Sequence, residues 1–412
     1  MTEPKGKFLL VCQLFYPELV STGMHMTELC VALSKLGWEI DVVCAQPAVL
    51  HEERNRKVPP AMEYEGINIY RVAALGNHRG SLVGRLFHGL TFMLSTALWS
   101  LRRAGCYSGL VVGTNPPFVG LVGLLVKWLR RKPYAVIVYD VYPETAIGSG
   151  VIKKSSLIAW IWKKISQSIV RGAVANIVIG RDMARVIAER LNSQGTRGLH
   201  LVCNWSDEKS VYPVPKSQNA FREQYNPKGA FLVQYSGTIG RTHNVEILIE
   251  AAEILKQENI FFQFIGDGFK KSKLQDMVKE KGLTNVQFLP FQPMDILAQV
   301  LSAGEVAVVC LASAFTGLSV PSKTYGIMAA GVPVLAFMDA DSEIALTVSE
   351  TGCGLVLSNA NGAEVARVVK ELKRDPLKLR EMGENGYRAF RTRYTLTVAA
   401  RRYDEILTNA FR

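Results

Sequence analysis

Three stretches in the second half of this 412-residue chain hold residue types suited to an anionic ligand. Tyr235-Ser-Gly-Thr-Ile-Gly-Arg-Thr-His-Asn244 joins an apolar run to a helical pattern. Its glycines, Gly237 among them, expose backbone N–H groups, and a helix start adds about half a positive charge, a pairing that suits a diphosphate. Arg241 and His243 supply side-chain donors, although an ordinary strand-to-helix turn with a surface arginine has the same outline. Phe264-Ile-Gly-Asp-Gly268 ends another apolar run, where Gly266 lets the backbone turn sharply or approach a ligand closely; tight turns without ligands share the pattern. In Gly317-Leu-Ser-Val-Pro-Ser-Lys-Thr-Tyr-Gly-Ile-Met-Ala-Ala-Gly-Val-Pro-Val334, Ser322 is placed to N-cap a helix through Ala330 that Gly331 closes. Lys323 then falls in the first turn, where a cation opposes the helix dipole. That position points to an anion beside it, with a solvated lysine as the weaker alternative.

In Tyr139-Asp-Val-Tyr-Pro-Glu144, Asp140 and Glu144 follow an apolar strand, where a carboxylate can orient a hydroxyl or stabilise a cationic centre. A helix-capping aspartate with a surface glutamate is the alternative; position favours function for Asp140 and leaves Glu144 open. Asp339-Ala-Asp341 imitates a two-carboxylate metal motif, but Asp341 ahead of Ser-Glu-Ile-Ala reads as the N-cap of the next helix, so no metal is expected. The scattered histidines show no ligand spacing, and His25, two residues after Gly23, is the one placed to reach a ligand. Phosphate-loop, dinucleotide, zinc-protease and serine-hydrolase signatures are absent.

These residues need a scaffold that sets loops side by side. Lys7–Cys12, Glu39–Ala45, Leu110–Gly113, Tyr134–Tyr139 and Ala175–Ile179 are short apolar runs separated by helical spacing. The first such helix, carrying Met26, Leu29, Cys30, Leu33 and Leu36, is expected after a Ser21-Thr22-Gly23 loop. Asn204 to Lys228, with three prolines and no sustained period, reads as a connector. Beyond it Phe231–Tyr235, Phe261–Ile265, Val286–Leu289, Val306–Leu311 and Val332–Phe337 restart the alternation. Such alternation predicts an α/β protein of two Rossmann-like, doubly wound domains, residues 1–205 and 206–394, with a last helix over 395–412 packing back on the first. Chemistry then belongs to loops at the carboxyl ends of the strands. A 48% hydrophobic, 20% charged composition is that of a globular protein, and a net charge of +12 leaves room for anionic partners. Seven scattered cysteines without C-x-x-C spacing argue for a reduced cytosol, and the N-terminus lacks the marks of a signal peptide.

Taken in order, Phe15-Tyr-Pro-Glu18 with Thr22-Gly23, Asn204-Trp-Ser-Asp207, Ser236–Gly240, Gly266-Asp-Gly268, and Pro321-Ser-Lys-Thr-Tyr325 with Ala329-Ala-Gly-Val-Pro-Val334 resemble the motifs of retaining nucleotide-sugar glycosyltransferases of the GT-B fold, family 4-like. The resemblance spans nearly the whole chain and is nearest to the branch that builds bacterial surface polysaccharides, fucosamine-transferase-like members included. It implies two Rossmann-like domains facing across a cleft. A nucleotide-diphosphate sugar, UDP-linked by preference, is then held mainly by the C-terminal domain and an acceptor mainly by the N-terminal one. It further implies hexosyl transfer with retention, and neither metal nor other cofactor. By position, Gly23 is implied to meet the diphosphate from the N-terminal side, and Gly237, Arg241, His243, Gly266 and Lys323 from the other. Phe288–Gln292, with Leu289, is implied to meet the base, Asp140 and Lys323 to serve catalysis, and His25 and Glu144 to lie on the acceptor side. Many relatives also carry two glutamates eight positions apart ahead of the A-x-G-x-P-V element, for the sugar and the ribose. The matching positions here are Leu318 and Gly326, neither of which has a side-chain acceptor.

Charge is unevenly spread. Between Ser81 and Gly172 stand twelve Lys and Arg against Asp140 and Glu144 alone, and the apolar stretches Leu86–Leu101 and Leu121–Trp128 are each followed by paired basic residues. Neither offers the roughly 20 clean apolar residues that span a bilayer. Apolar helices edged by Lys, Arg and Trp suit an anionic membrane face, which predicts a cytoplasmic enzyme, peripheral on the inner face of the plasma membrane, with a lipid-linked saccharide acceptor. Core helices with solvated cations are the alternative. A nucleotide-sugar 2-epimerase shares the fold and needs no acceptor, whereas nucleic acid is not expected as a partner, because interleaved aromatic and basic motifs are missing.

Overall fold

The computed structural model describes residues 5–18, 21–47, 58–75, 82–191, 198–226, 228–240 and 242–412. The chain divides into two compact units, one of Met1–Cys203 with Gly317–Ser319 and Leu396–Arg412, the other of Asn204–Thr316 with Val320–Thr395.

The first unit contains β1 (Gly6–Val11), α1 (Ser21–Lys35), β2 (Trp38–Cys44), β3 (Ala61–Tyr64), β4 (Ile67–Arg71), α2 (Leu82–Arg103), β5 (Gly109–Val112), α3 (Gly120–Arg130), β6 (Tyr134–Val138), α4 (Glu144–Gly148), α5 (Leu157–Gly172), β7 (Ala175–Val178), α6 (Arg181–Leu191) and β8 (Leu199–Leu201). The strands form one sheet in the order β3-β4-β2-β1-β5-β6-β7-β8, parallel except for β3 against β4. Strands β5, β6 and β7 are buried along their whole length, which is why they read as continuous apolar runs: helices cover both faces of a parallel sheet. The β3–β4 hairpin and the three-residue β8 go beyond the predicted strands. The hairpin turns on Glu65 and Gly66, both at positive φ (50° and 78°), the backbone that a two-residue turn between twisted strands needs.

One expectation is corrected. Ser21-Thr22-Gly23 is not a loop but the opening of α1, with Gly23 buried in its first turn. A Cβ at Gly23 would stand 3.2 Å from the Glu18 Cβ, so close packing, not loop conformation, accounts for this glycine.

Helix α2 packs on α3, and α3 on α5. Their outer surface is unusually apolar: Phe87, Leu90, Leu94 and Leu98 lie exposed along one stripe of α2, joined by Trp128 and Leu129 of α3 and by Leu157, Ile158, Trp160 and Ile161 of α5. Among the described residues no helix is long and apolar enough to cross a membrane.

The second unit contains α7 (Ala220–Tyr225), β9 (Phe231–Ser236), α8 (Glu246–Ile254), β10 (Ile260–Ile265), α9 (Lys271–Glu280), β11 (Val286–Leu289), α10 (Leu297–Ser302), β12 (Val306–Cys310), α11 (Lys323–Ala329), β13 (Val334–Phe337), α12 (Glu343–Thr351), β14 (Gly354–Val356), α13 (Gly362–Arg374) and α14 (Pro376–Arg393). Its sheet is wholly parallel, in the order β11-β10-β9-β12-β13-β14. Val233, Tyr235, Phe262, Phe264, Val308 and Phe337 pack on one face, Leu232, Ile265 and Leu289 on the other. That second face also carries a row of amides. Gln234 donates to Gln263 at 3.1 Å and Gln263 to Gln287 at 3.2 Å, straight across β9, β10 and β11.

The last helix, α15 (Leu396–Ala410), returns to the first unit and lies against α1. Phe411 beyond it packs over Gly109, which has no side chain to obstruct the ring, and Trp38 Nε1 donates to Asp404 at 2.8 Å.

Candidate functional site

In the second unit the strand order reverses between β9 and β12, and in open parallel sheets the crevice at such a switch point, beyond the carboxyl ends, is where ligands sit. The loops after β9, β10 and β12 meet there. Ile239 N–H donates to Asp267 O at 2.9 Å and Ala312 N–H to Thr242 O at 2.8 Å. Gly266, at φ +133°, faces the Gly237 carbonyl so closely that no Cβ fits. The glycines seen in the sequence are therefore required by backbone touching backbone.

Lys323 opens α11, and its Nζ is buried 3.7 Å from the centroid of the Tyr235 ring with no hydrogen-bond partner among the described residues. Gly237, at φ +127°, leaves it room: a Cβ there would stand 2.9 Å from Nζ. Burial pushes the Lys323 ammonium down to about 8, with the Cys310 thiol acting weakly the other way, so at neutral pH it is mostly charged. Ser322 does not cap the helix through its side chain, contrary to expectation; its backbone is already helical, and Thr324 Oγ1 donates to Pro321 O at 2.9 Å instead. Gly331 closes the helix in the left-handed conformation, φ +68°, as predicted.

His243 is held neutral: burial first, then Lys323 and Lys270, push its pKa down to about 3. Nδ1 accepts the Gly240 N–H at 3.3 Å, which leaves Nε2 as an N–H donor. Lys270 is turned away, donating to His243 O at 2.7 Å and Glu246 Oε2 at 3.0 Å, and Lys271 reaches Gly266 O at 3.0 Å. Leu289 packs its side chain into the core and accepts the Gly266 N–H at 2.9 Å through its carbonyl. The ring beside Gly266 is Phe291, half exposed, with Phe269 exposed on the same edge. Phe269 lies outside every stretch read from the sequence, and Tyr235 enters there only as the first residue of the Tyr235–Asn244 stretch, with no role of its own. Arg241 lies outside the described residues.

Asp339 accepts from Ser313 Oγ at 2.6 Å and Thr316 Oγ1 at 2.8 Å, pinning the loop after β12. Ser342, not Asp341, is the N-cap residue of α12. Among the described residues no group of three or more His, Cys, Asp or Glu is arranged to hold a metal ion. Gly326 lies half-buried within α11, and Leu318, in the first unit, gives its carbonyl to Val141 N–H at 3.0 Å.

In the first unit Asp140 follows β6. Thr114 Oγ1 accepts the N–H groups of Tyr139 and Asp140 at 3.1 and 3.2 Å, and Asp140 bridges to Ser319. Burial raises the Asp140 pKa and the Ser319 side-chain hydrogen bond partly opposes it. Glu144 opens α4 and pairs with Arg190, which is buried and also donates to Ser166 Oγ at 2.8 Å. His25, in α1, lies 3.6 Å from Glu28.

Each unit thus presents the carboxyl end of a Rossmann-like sheet, and the chain has the GT-B fold. Residues 217–389 match the family of glycosyl transferases group 1 and residues 22–205 the glycosyl transferase 4-like domain. The chain is 32% identical over 281 residues to the probable glycosyltransferase WbjE of Pseudomonas aeruginosa, covering 68% of this chain and 69% of that one. To the putative colanic acid biosynthesis glycosyl transferase WcaI of Escherichia coli strain K12 it is 24% identical over 338 residues, covering 80% and 83%. Sucrose-phosphate synthase from Thermosynechococcus elongatus shares the fold with a TM-score of 0.80 at 18% identity, covering 98% and 99% of the two chains. Anabaena HepE in complex with UDP does so at 0.71 and 14%, covering 98% and 100%. The chain belongs to the group 1, family 4-like glycosyltransferases and is a glycosyltransferase.

Proposed function

We propose that this enzyme moves a hexosyl group from a UDP-linked sugar to a lipid-linked saccharide, with retention and without a metal, in the building of a surface polysaccharide. The donor half rests on one observation: the buried, unpartnered ammonium of Lys323 beside Gly237. A buried cation without a partner is costly, and a diphosphate oxygen relieves the cost. His243 Nε2–H, on a ring whose Nδ1 is held by the Gly240 N–H, completes an anion cradle, Arg241 adjoins it in sequence, and Phe269 and Phe291 offer rings for a base. HepE, of the same fold, holds UDP in its crystal structure, which supports a nucleotide donor. Asp140 serves the reaction centre, where a carboxylate stabilises cationic character on the transferring sugar while the leaving diphosphate takes the acceptor hydroxyl proton. The colanic acid role in the name of WcaI favours a polysaccharide product.

The acceptor's lipid chain suits the apolar stripe of α2, α3 and α5, edged by Arg102, Arg103, Arg130, Arg131, Lys153, Lys154, Lys163 and Lys164. Such a surface lies on an anionic inner leaflet, each nearby cation adding roughly 1 kcal/mol.

Calorimetric titration with UDP in EDTA tests the donor half. Lys323→Ala should weaken UDP about ten- to a hundredfold, the loss of one charge-assisted contact. Unchanged affinity, or a strict need for Mg²⁺ or Mn²⁺, would overturn it. Vesicle co-sedimentation tests the surface: binding should need anionic lipid, weaken with salt, and fall when Lys153, Lys154, Lys163 and Lys164 become Gln. Equal failure on neutral and anionic vesicles at low salt would leave a soluble acceptor.

A further inference from the structure

Tyr235 is the penultimate residue of β9 and is 1% exposed, so in the sequence it looks like core. Its two ends do different things. The ring face carries Lys323 Nζ, while the hydroxyl donates to Thr238 O at 2.7 Å and ties down the glycine loop. Among the described residues nothing else engages the ammonium. Gly237 has no side chain, Cys310 beneath is a neutral thiol pushed up to about 12, His243 is neutral, and Lys270 is occupied elsewhere. An aromatic face attracts a cation without neutralising it, whereas a carboxylate in its place would form an ion pair and compete with an incoming anion.

We propose that Tyr235 is a positioning residue for donor binding: one side chain holds the ammonium of Lys323 by its ring and the Ser236–Gly240 loop by its hydroxyl, so that both halves of the anion cradle keep one spacing. This rests on the cradle being the donor site.

UDP titrations of the full chain, at pH values spanning about 8, decide it with Tyr235→Phe, Tyr235→Leu, Lys323→Met and the Leu/Met double variant. Tyr235→Phe keeps the ring and loses the hydroxyl, so Kd should rise about three- to tenfold with the alkaline limb unmoved. Tyr235→Leu should raise Kd about tenfold or more and move that limb to lower pH, because the ring that favours the charged amine is gone. In the Lys323→Met background, Tyr235→Leu should cost only what the loose loop costs, close to the effect of Tyr235→Phe. Equal losses from Tyr235→Leu with and without Lys323, or an unmoved limb, would overturn the ring's role. Wild-type affinity in Tyr235→Phe would overturn the hydroxyl's, and that variant guards against misfolding of the leucine. If Lys323→Met binds UDP as wild type does, the donor reading falls and this inference with it; if only the Tyr235 variants are silent, the donor reading stands alone.

Discussion

The carboxyl ends of the two sheets are finished in opposite ways. In the second unit the edge is backbone, with Gly237 and Gly266 against each other and one buried cation that, among the described residues, has an aromatic face but no hydrogen-bond partner. In the first, the acids are engaged: Glu144 by Arg190, Asp140 by Ser319, and Asp182 by the N–H groups of Met183 and Gly317 at 2.8 and 3.0 Å. An edge whose polar groups are satisfied is stable without a ligand, while an edge with a spare buried charge is completed by one. On the proposed reading, anion binding belongs to the second unit and chemistry to Asp140, whose pKa burial raises.

The sharpest way to break this division is Asp140→Asn. Turnover should fall by about 10² to 10³, the range for losing one electrostatic stabiliser of the transition state, with UDP affinity and melting temperature near wild type. Because burial holds the Asp140 pKa above the ordinary aspartate range, the wild-type acid limb of kcat should lie correspondingly high and vanish in the variant. A folded variant with normal kcat would remove Asp140 from the mechanism. Next in size, Gly266→Ala forces a side chain onto the Gly237 carbonyl at a positive φ, costing about 1–3 kcal/mol of strain and at least tenfold in UDP affinity. Normal UDP binding there would mean that the glycine contact does not shape the cradle.

The smallest effect is on the free enzyme. Lys323 binds its proton less tightly folded than unfolded, so between about 8 and the ordinary lysine value of 10.5 the unfolded chain holds more protons and stability rises with pH. Lys323→Met should lose that increment and match or exceed wild-type stability at pH 7, measured by denaturant titration at several pH values. A methionine variant markedly less stable at pH 7 would show the ammonium to be structural.

The sheets were legible because fully buried strands are continuous apolar runs, and the site glycines because few other residues end a strand so abruptly. What escaped did so for physical reasons. Met62 and Tyr64 of β3 alternate with exposed neighbours at a sheet edge, too short a pattern to register. Ser-Thr-Gly at 21–23 has loop composition, but its helix is set by packing against Glu18, a contact no local pattern contains. Asp341 and Ser342 both qualify as caps, and only the backbone geometry at Ser342 (φ −70°, ψ 153°) separates them. The role of Tyr235 was not legible, because a buried tyrosine at the start of a loop motif looks the same whether or not a lysine lies on its ring.

The row of glutamines across β9, β10 and β11 has a mechanical consequence. Each amide is satisfied only when its neighbour stands directly opposite, so a slip of one strand would strand buried amides and flip its apolar residues; those three strands are keyed together. The key ends at Gln234, whose Oε1 accepts nothing among the described residues; beyond it β9 pairs with β12 at Val233 and Gln234, and Leu232 O accepts the Glu305 N–H at 2.9 Å. Loop 236–240 follows the keyed strand β9, and through the Tyr235 ring Lys323 is set against that same strand, so both sides of the anion cradle are referred to one keyed element.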